Sequence, residues 1–292
     1  MSIPRLFTAM VTPYKENLEV DYDQAAVLAQ YLVDNGSDGV VVCGTTGESP
    51  VLGKEEKLQL LEVVLSVVGK KAKVWMGTGA NDTKSAVALN QAVEKYPIDG
   101  LLSVCPYYNK PTQEGLYQHF KTIAENTALP VIVYNVPGRT GSSITAATMG
   151  RLAEFNNIAA VKESSGSLDQ VAELVRALPE RVLVYSGDDN LTLPMMSAGA
   201  VGVVSVASHI AGKEIKAMIE AFVAGDVKKA CALHLQLYPL FKGLFVCSNP
   251  IPVKKALNLI GMKVGGLRLP LVEANESETA FLKQLVDGYV IK

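Results

Sequence analysis

Short, near-continuous apolar runs rich in β-branched residues recur eight times along the chain, and each is followed by a longer stretch with helical periodicity. The runs are Leu6 to Val11, Val40 to Cys43, Val74 to Gly77, Leu101 to Cys105, Val131 to Tyr134, Ala159 to Lys162, Val182 to Tyr185 and Val203 to Val206. Between them lie Asp23 to Val33, Lys54 to Val68, Thr83 to Lys95, Gln113 to Glu125, Thr145 to Glu154, Leu168 to Leu178 and Leu191 to Ser197. Successive runs begin roughly 20 to 35 residues apart, the room that one strand, one helix and two short loops require. Strands that are apolar throughout are buried on both faces, as in parallel sheets flanked by helices. Eight such units predict an α/β fold, a (β/α)8 barrel. The competing fold, a doubly wound open sheet, carries a G-x-G-x-x-G turn after an early strand. Gly77 to Asp82 begins in that way, but Asp82 stands where the third glycine is needed.

From about Gly225 the pattern changes to helices alone, at Val227 to Phe245, Pro252 to Ile260 and Glu276 to Val290, with a break at Gly265-Gly266 and Pro270. The expected organisation is a catalytic barrel over 1–224 and a helical region over 225–292 packed on it, since no long polar linker separates the two. A hydrophobic content of 49% in 292 residues excludes a disordered polymer. Lys plus Arg number 27 against 29 Asp plus Glu, a net charge of -2, so nothing attracts nucleic acid or an anionic membrane and the ligand is expected to be small. The cysteines Cys43, Cys105, Cys231 and Cys247 show no C-x-x-C spacing and are expected to be reduced, buried thiols. The opening MSIPRLFTAM lacks a signal-peptide pattern and no apolar run approaches the ~18 residues of a membrane helix, so a cytoplasmic protein is expected.

In such barrels the chemistry sits where the strands end, in the loops that follow them. Here those positions carry Gly44-Thr45-Thr46-Gly47-Glu48, Pro106-Tyr107-Tyr108-Asn109, Tyr134-Asn135-Val136-Pro137-Gly138-Arg139, Lys162-Glu163 and Gly187-Asp188-Asp189. Lys162 is the sharpest signal, because Ile158-Ala159-Ala160-Val161 runs directly into it and places an ammonium at the top of a buried strand. Desolvation favours the neutral amine, which can attack a carbonyl and form an imine. The plain alternative is a rim lysine paired with Glu163. Tyr107, Tyr108, Tyr134, Thr45 and Thr46 offer hydroxyls to pass protons or hold a carboxylate, although a strand-end tyrosine is commonly a packing residue. Arg139, in a loop, can take a substrate carboxylate through two hydrogen bonds, or it is a solvated loop cation. His119, His209 and His234 have no ligand spacing and no accompanying carboxylate cluster, so no metal site is expected. Asp188-Asp189 is read as a helix N-cap.

Taken together, G-T-T-G-E at Gly44 to Glu48, Y-Y-N at Tyr107 to Asn109, Y-N-V-P-x-R-T-G at Tyr134 to Gly141, V-K-E at Val161 to Glu163, S-G-D-D at Ser186 to Asp189 and N-P-I-P-V-K at Asn249 to Lys254 resemble the class I pyruvate-dependent aldolase superfamily, and within it the dihydrodipicolinate synthase branch. The resemblance spans essentially the whole chain. It implies condensation of pyruvate with L-aspartate 4-semialdehyde on the way to diaminopimelate and lysine, through a covalent imine at Lys162 and without a metal or organic cofactor. It further implies a proton relay of Tyr134, Thr46 and Tyr108, with Tyr108 reaching the neighbouring subunit's site. Thr45 and Thr46 would hold the pyruvate carboxylate, Gly187 and Val204 would present backbone groups near the lysine, and Arg139 would bind the carboxylate of the semialdehyde. The assembly implied is a homotetramer, a dimer of dimers.

A sister aldolase acting on N-acetylneuraminate or a 2-keto-3-deoxy sugar acid is the nearest rival, and Arg139 argues against it because a short acidic aldehyde needs a cation there. A catalytically silent barrel is the distant alternative, disfavoured by the joint presence of Lys162, Tyr134, Thr46 and Tyr108. Lysine-inhibited members of the branch are similar to one another in a cleft at the dimer interface, where a histidine pair and a glutamate surround the effector. The matching positions here are Lys54, Lys57 and Ser85, beside the shared Ser49, Asn81 and Tyr107, so the resemblance implies a degenerate regulatory site.

Overall fold

In the computed structural model of the chain, residues 4–290 are described. Eight parallel strands hydrogen-bond in sequence order into one closed barrel: β1 (Leu6–Ala9), β2 (Gly39–Val42), β3 (Lys73–Gly77), β4 (Gly100–Val104), β5 (Val131–Asn135), β6 (Ile158–Glu163), β7 (Leu183–Ser186) and β8 (Gly202–Ser205). Helices alternate with them: α1 (Tyr22–Asp34), α2 (Lys54–Val68), α3 (Thr83–Val93), α4 (Gln113–Glu125), the one-turn α5 (Pro137–Thr140), α6 (Ala146–Leu152), α7 (Leu168–Ala177), α8 (Thr192–Ser197) and α9 (Ser208–Val223). The (β/α)8 barrel read from the spacing is therefore the fold. Three further helices close the chain: α10 (Val227–Gly243), α11 (Ile251–Leu259) and α12 (Glu276–Val290).

Helix starts are set by short polar side chains. Asp21 accepts the amide of Gln24 at 2.9 Å, Asp82 that of Ser85 at 2.8 Å and Thr112 that of Gly115 at 3.3 Å. Each satisfies an amide that a first helical turn leaves unpaired. The strands are buried along their length, as their unbroken apolar runs require.

The chain divides into two compact units. One spans Trp75 to Val204, and the other joins Pro4 to Val74 with the segment from Ser205 onward. In the first unit, adjacent strands fix one row of residues by register: Val104 lies opposite Tyr134, Tyr134 opposite Lys162, and Lys162 opposite Tyr185. In the second unit, α9 packs against β1 and α1, and α10, α11 and α12 pack against α9 and one another.

Helix α9 is an element that the reading of periodic segments did not include, although Ile215, Met218, Ile219 and Phe222 keep helical spacing. A non-helical Ala211 (φ -128°, ψ 43°) kinks it near its start. Arg139, expected in a loop, stands in the single helical turn α5, which Pro137 opens. Asp188 occupies the N-cap position of the 3-10 turn Asp189–Leu191, but its side chain makes no capping hydrogen bond. Of the cysteines, Cys43 and Cys105 are buried as expected, whereas Cys231 is exposed and Cys247 half-buried. Position 231 is on the outer face of α10, a face the sequence does not distinguish from the inner one at that residue.

His209, in the first turn of α9, is fully buried: its Nε2 accepts the Val11 amide at 3.2 Å, while Nδ1 lies 2.8 Å from the Val206 carbonyl. This arrangement demands the neutral ring with its proton on Nδ1. Burial pushes the imidazole pKa down to about 4. The unfolded chain then binds a proton that the native chain refuses, so stability falls as pH drops from about 6.5 towards 4. Urea unfolding at pH 7 and pH 5 should show a loss of about 2 kcal/mol assignable to this group. In His209→Gln the loss between the two pH values should shrink by that amount, and an unchanged difference would show that His209 does not carry it.

Candidate active site

In the unit of residues 75–204, Lys162 is the penultimate residue of β6 yet is only 5% exposed. Its Nζ lies 4.1 Å from the ring centroid of the register-paired Tyr134, itself buried. The rim pairing with Glu163 does not form. Neighbouring residues on a strand point to opposite faces, and the Glu163 carboxylate instead accepts Asn135 Nδ2 at 2.9 Å and the Ser165 amide at 2.6 Å. Beside the lysine, Gly187 donates its amide to the Glu163 carbonyl at 2.8 Å. A Cβ at this position would fall 2.8 Å from Lys162 Cε and collide with Ser164 Oγ, so only glycine allows the backbone this close. Val204, on β8, is fully buried.

The loops after β4 and β5 are tied together in the same unit. Ser142 Oγ donates to the Pro106 carbonyl at 2.9 Å, Thr140 Oγ1 to the Ser142 carbonyl at 2.7 Å, and the Tyr108 amide to the Thr140 carbonyl at 3.2 Å. Tyr108 adopts φ 75°, a strained conformation for a bulky residue, and its side chain is 89% exposed. Tyr107 is half-buried and Arg139 exposed. Asn81 offers its carbonyl to Asn109 Nδ2 at 2.7 Å, and Ser85 lies exposed in the first turn of α3.

In the other unit, Thr45 is half-buried and Thr46 buried in the turn that follows β2. Asn249 Nδ2 donates to Thr46 Oγ1 at 3.0 Å, and Thr12 Oγ1 donates to the Gly47 carbonyl at 2.7 Å. Glu48 has a left-handed backbone, φ 56°, and a buried carboxylate. That carboxylate accepts Lys254 Nζ at 2.9 Å and the Arg268 amide at 3.1 Å. Lys254 also donates to the Thr12 carbonyl at 2.9 Å and sits 4.1 Å from the Tyr14 ring centroid. Burial pushes its ammonium down to about 8, against the upward pull of Glu48. Glu48 and Lys254 entered the sequence reading only as motif letters. A lysine inside the apolar start of α11 was the available signal.

Ser49 is half-buried, Lys54 exposed, and Lys57 half-buried with its ammonium held below the usual lysine range by desolvation. Glu56, on the same helix, accepts the Arg268 guanidinium at 2.8 and 2.6 Å and the Gly53 amide at 2.9 Å. Among the described residues no group of three or more His, Cys, Asp or Glu could hold a metal ion, and no helix is long and apolar enough to cross a membrane.

Residues 2–288 match the model of the dihydrodipicolinate synthetase family. A 4-hydroxy-tetrahydrodipicolinate synthase from Heliobacterium modesticaldum is 56% identical over 289 residues, 99% of this chain and 96% of the relative. Among solved structures, DHDPS from Cyanidioschyzon merolae with lysine bound is 47% identical at a TM-score of 0.97, covering 99% of both chains. The chloride-inhibited dihydrodipicolinate synthase from Acinetobacter baumannii, complexed with pyruvate, is 39% identical at a TM-score of 0.96 and covers 100% of both.

Proposed function

The chain belongs to the dihydrodipicolinate synthetase family, and from that premise we propose that it is a cytoplasmic lyase that condenses pyruvate with L-aspartate 4-semialdehyde to 4-hydroxy-tetrahydrodipicolinate, on the way to diaminopimelate and lysine. The observation that carries this reading is Lys162, a buried lysine at a strand end, facing Tyr134 and the bare Cα of Gly187. The relative that is seen complexed with pyruvate supports the choice of first substrate.

The chemistry follows from an amine in that setting. The neutral Lys162 nitrogen attacks C2 of pyruvate, and loss of water from the carbinolamine leaves a protonated imine. The imine withdraws electrons from the C3 methyl, which gives up a proton to form an enamine. C3 then attacks the aldehyde carbon of the second substrate, and the new alkoxide takes a proton. The amino group of that substrate attacks C2, closes the ring and expels Lys162 as the free amine. No metal or organic cofactor enters these steps. Tyr134, Thr46 and Tyr108 serve as the proton relay. Thr45 and Thr46 hold the pyruvate carboxylate, Gly187 and Val204 present backbone groups near Lys162, and Arg139 binds the semialdehyde carboxylate. The exposure and strained backbone of Tyr108 support its service in a neighbouring subunit's site, within a homotetramer built as a dimer of dimers.

Borohydride added with pyruvate should attach one pyruvate-derived adduct per chain at Lys162, located by peptide mass mapping. An unmodified Lys162, or an adduct at Lys254 or Lys255, would overturn the assignment.

Arg139→Ala should leave that adduct largely intact while lowering kcat/KM for the semialdehyde about ten- to a hundredfold, the range of a lost charge-assisted hydrogen bond. An equal loss with both substrates would remove the carboxylate role.

Lysine, which the relative from Cyanidioschyzon merolae is seen to bind, should not inhibit this enzyme. Lys54 and Lys57 stand at the positions where inhibited members resemble one another in histidines, and Ser85 stands where they carry a glutamate. A third ammonium without a counter-charge meets about 1 kcal/mol of repulsion per close pair in water. Of the two glutamates on α2 that could replace the missing carboxylate, Glu56 is committed to Arg268 and the Gly53 amide, which leaves the exposed Glu55 as the alternative source of that charge. A dose-response assay should show activity retained at about 1 mM lysine, the concentration that corresponds to binding of about -4 kcal/mol. Half-inhibition below it would show that the effector site survives.

A further inference from the structure

Ser164 follows Lys162 by two residues, so strand alternation carries it to the lysine's side of the sheet, opposite to Glu163. Its main chain is fixed on both flanks. The Ser164 amide donates to the Asn135 carbonyl at 2.8 Å, and the preceding carbonyl, that of Glu163, accepts the Gly187 amide at 2.8 Å. The side chain takes no part in this fastening: Ser164 Oγ is shut off from solvent and has no hydrogen-bond partner among the described residues. Gly187 shows where that oxygen lies. A Cβ added there would collide with Ser164 Oγ and stand 2.8 Å from Lys162 Cε and 3.2 Å from Lys162 Cγ. The serine oxygen and the end of the lysine side chain border the same small space, and the glycine keeps it free of a side chain.

A buried hydroxyl without a partner weakens a fold, so stability gives no reason for an oxygen at this position. Its neighbour gives one. Rotation about the Cδ–Cε bond of Lys162 moves Nζ and leaves Cε in place, so an oxygen packed against Cε comes within hydrogen-bonding reach of Nζ at a suitable torsion. In the free protein Nζ is turned to the Tyr134 ring, 4.1 Å from its centroid. A protonated imine has a different need, because its nitrogen keeps a single N–H, charged and directional, that calls for an oxygen acceptor. The Glu163 carboxylate is turned to the other face and bonded to Asn135 and Ser165. Ser164 Oγ has both lone pairs unspent, in a place where water does not compete for the bond.

Resting on the imine-forming reading above, we propose that Ser164 is a further catalytic residue, its Oγ accepting the N–H of the protonated imine at Lys162 and so favouring the charged form that acidifies the pyruvate methyl.

The test follows the half-reaction with pyruvate alone on the full-length enzyme, read as deuterium uptake at C3 of pyruvate in heavy water. Ser164→Ala should slow uptake at saturating pyruvate about tenfold and move the alkaline limb of its pH profile down by about one unit, since loss of the acceptor favours the neutral imine. The same variant should melt at or above the wild-type temperature, because it removes an unpaired buried hydroxyl. Ser164→Thr, which keeps an oxygen on Cβ, should leave the alkaline limb in place. Uptake in Ser164→Ala within twofold of the wild type, a slower uptake with the limb unmoved, or a limb displaced in Ser164→Thr as far as in Ser164→Ala overturns the proposal. Failure of the underlying reading gives a different result, no pyruvate adduct at Lys162 and no deuterium uptake in the unmutated enzyme.

Discussion

Between Val131 and Ile132 the pairing of β5 with β6 slips by one residue: Val131 lies opposite Ile158, but Ile132 lies opposite Ala160. Ala159 is the extra residue, and its insertion shifts every later partner. Because side chains alternate along a strand, a one-residue shift exchanges the faces of all that follows. With the slip, Tyr134 is opposite Lys162 and Asn135 opposite Glu163. Without it, Lys162 would fall opposite Asn135 and Glu163 would come to the tyrosine's side of the sheet. The amine beside the ring, and the carboxylate fastened to Asn135 on the other face, both depend on that single irregularity. Bulges of this kind redirect side chains next to active sites.

The chain buries two lysines by opposite means. Lys254 meets a carboxylate, a main-chain carbonyl and an aromatic face, so its charge is compensated. Lys162 meets an aromatic face and a glycine kept bare of any side chain, with its neighbouring glutamate turned away and bonded elsewhere. An ammonium held in a closed ring of partners is useful for fixing geometry and useless as a nucleophile. A lysine that shares its site with a ring and open backbone has the setting that the proposed imine chemistry needs. The difference between them lies in the local partners and not in burial, which is nearly complete in both.

The sequence made the barrel legible because its strands are near-continuous apolar runs and segments of helical period alternate with them. Lys162 stood out for the same reason, as a charge at the end of the run Ile158 to Val161. Only the start of helix α9 was illegible, since Ala211 leaves the helical conformation there, whereas Ile215, Met218, Ile219 and Phe222 keep the helical period. The partner of Glu48 was not legible either. Lys162-Glu163 are adjacent in sequence and make no pair, while Glu48 and Lys254 are far apart and do, because strand alternation separates the first two and the placement of α11 brings the second two together. Sequence proximity is a weak guide to ion pairing wherever a strand intervenes.

Tyr108 carries the remaining step. A non-glycine residue at positive φ costs about 1 to 3 kcal/mol and persists only where the surroundings over-determine it. The surroundings here are explicit: the Tyr108 amide is fixed by the Thr140 carbonyl, Thr140 is fixed by Ser142, and Ser142 is fixed by the Pro106 carbonyl two residues before the tyrosine. A loop this closely tied would ordinarily lay a tyrosine ring against its own protein, where burial of the ring offsets the strain. Instead the ring stands in solvent. Within one chain the ring gains no burial that would offset the strain, which supports the proposal that it serves beyond the chain that supplies it.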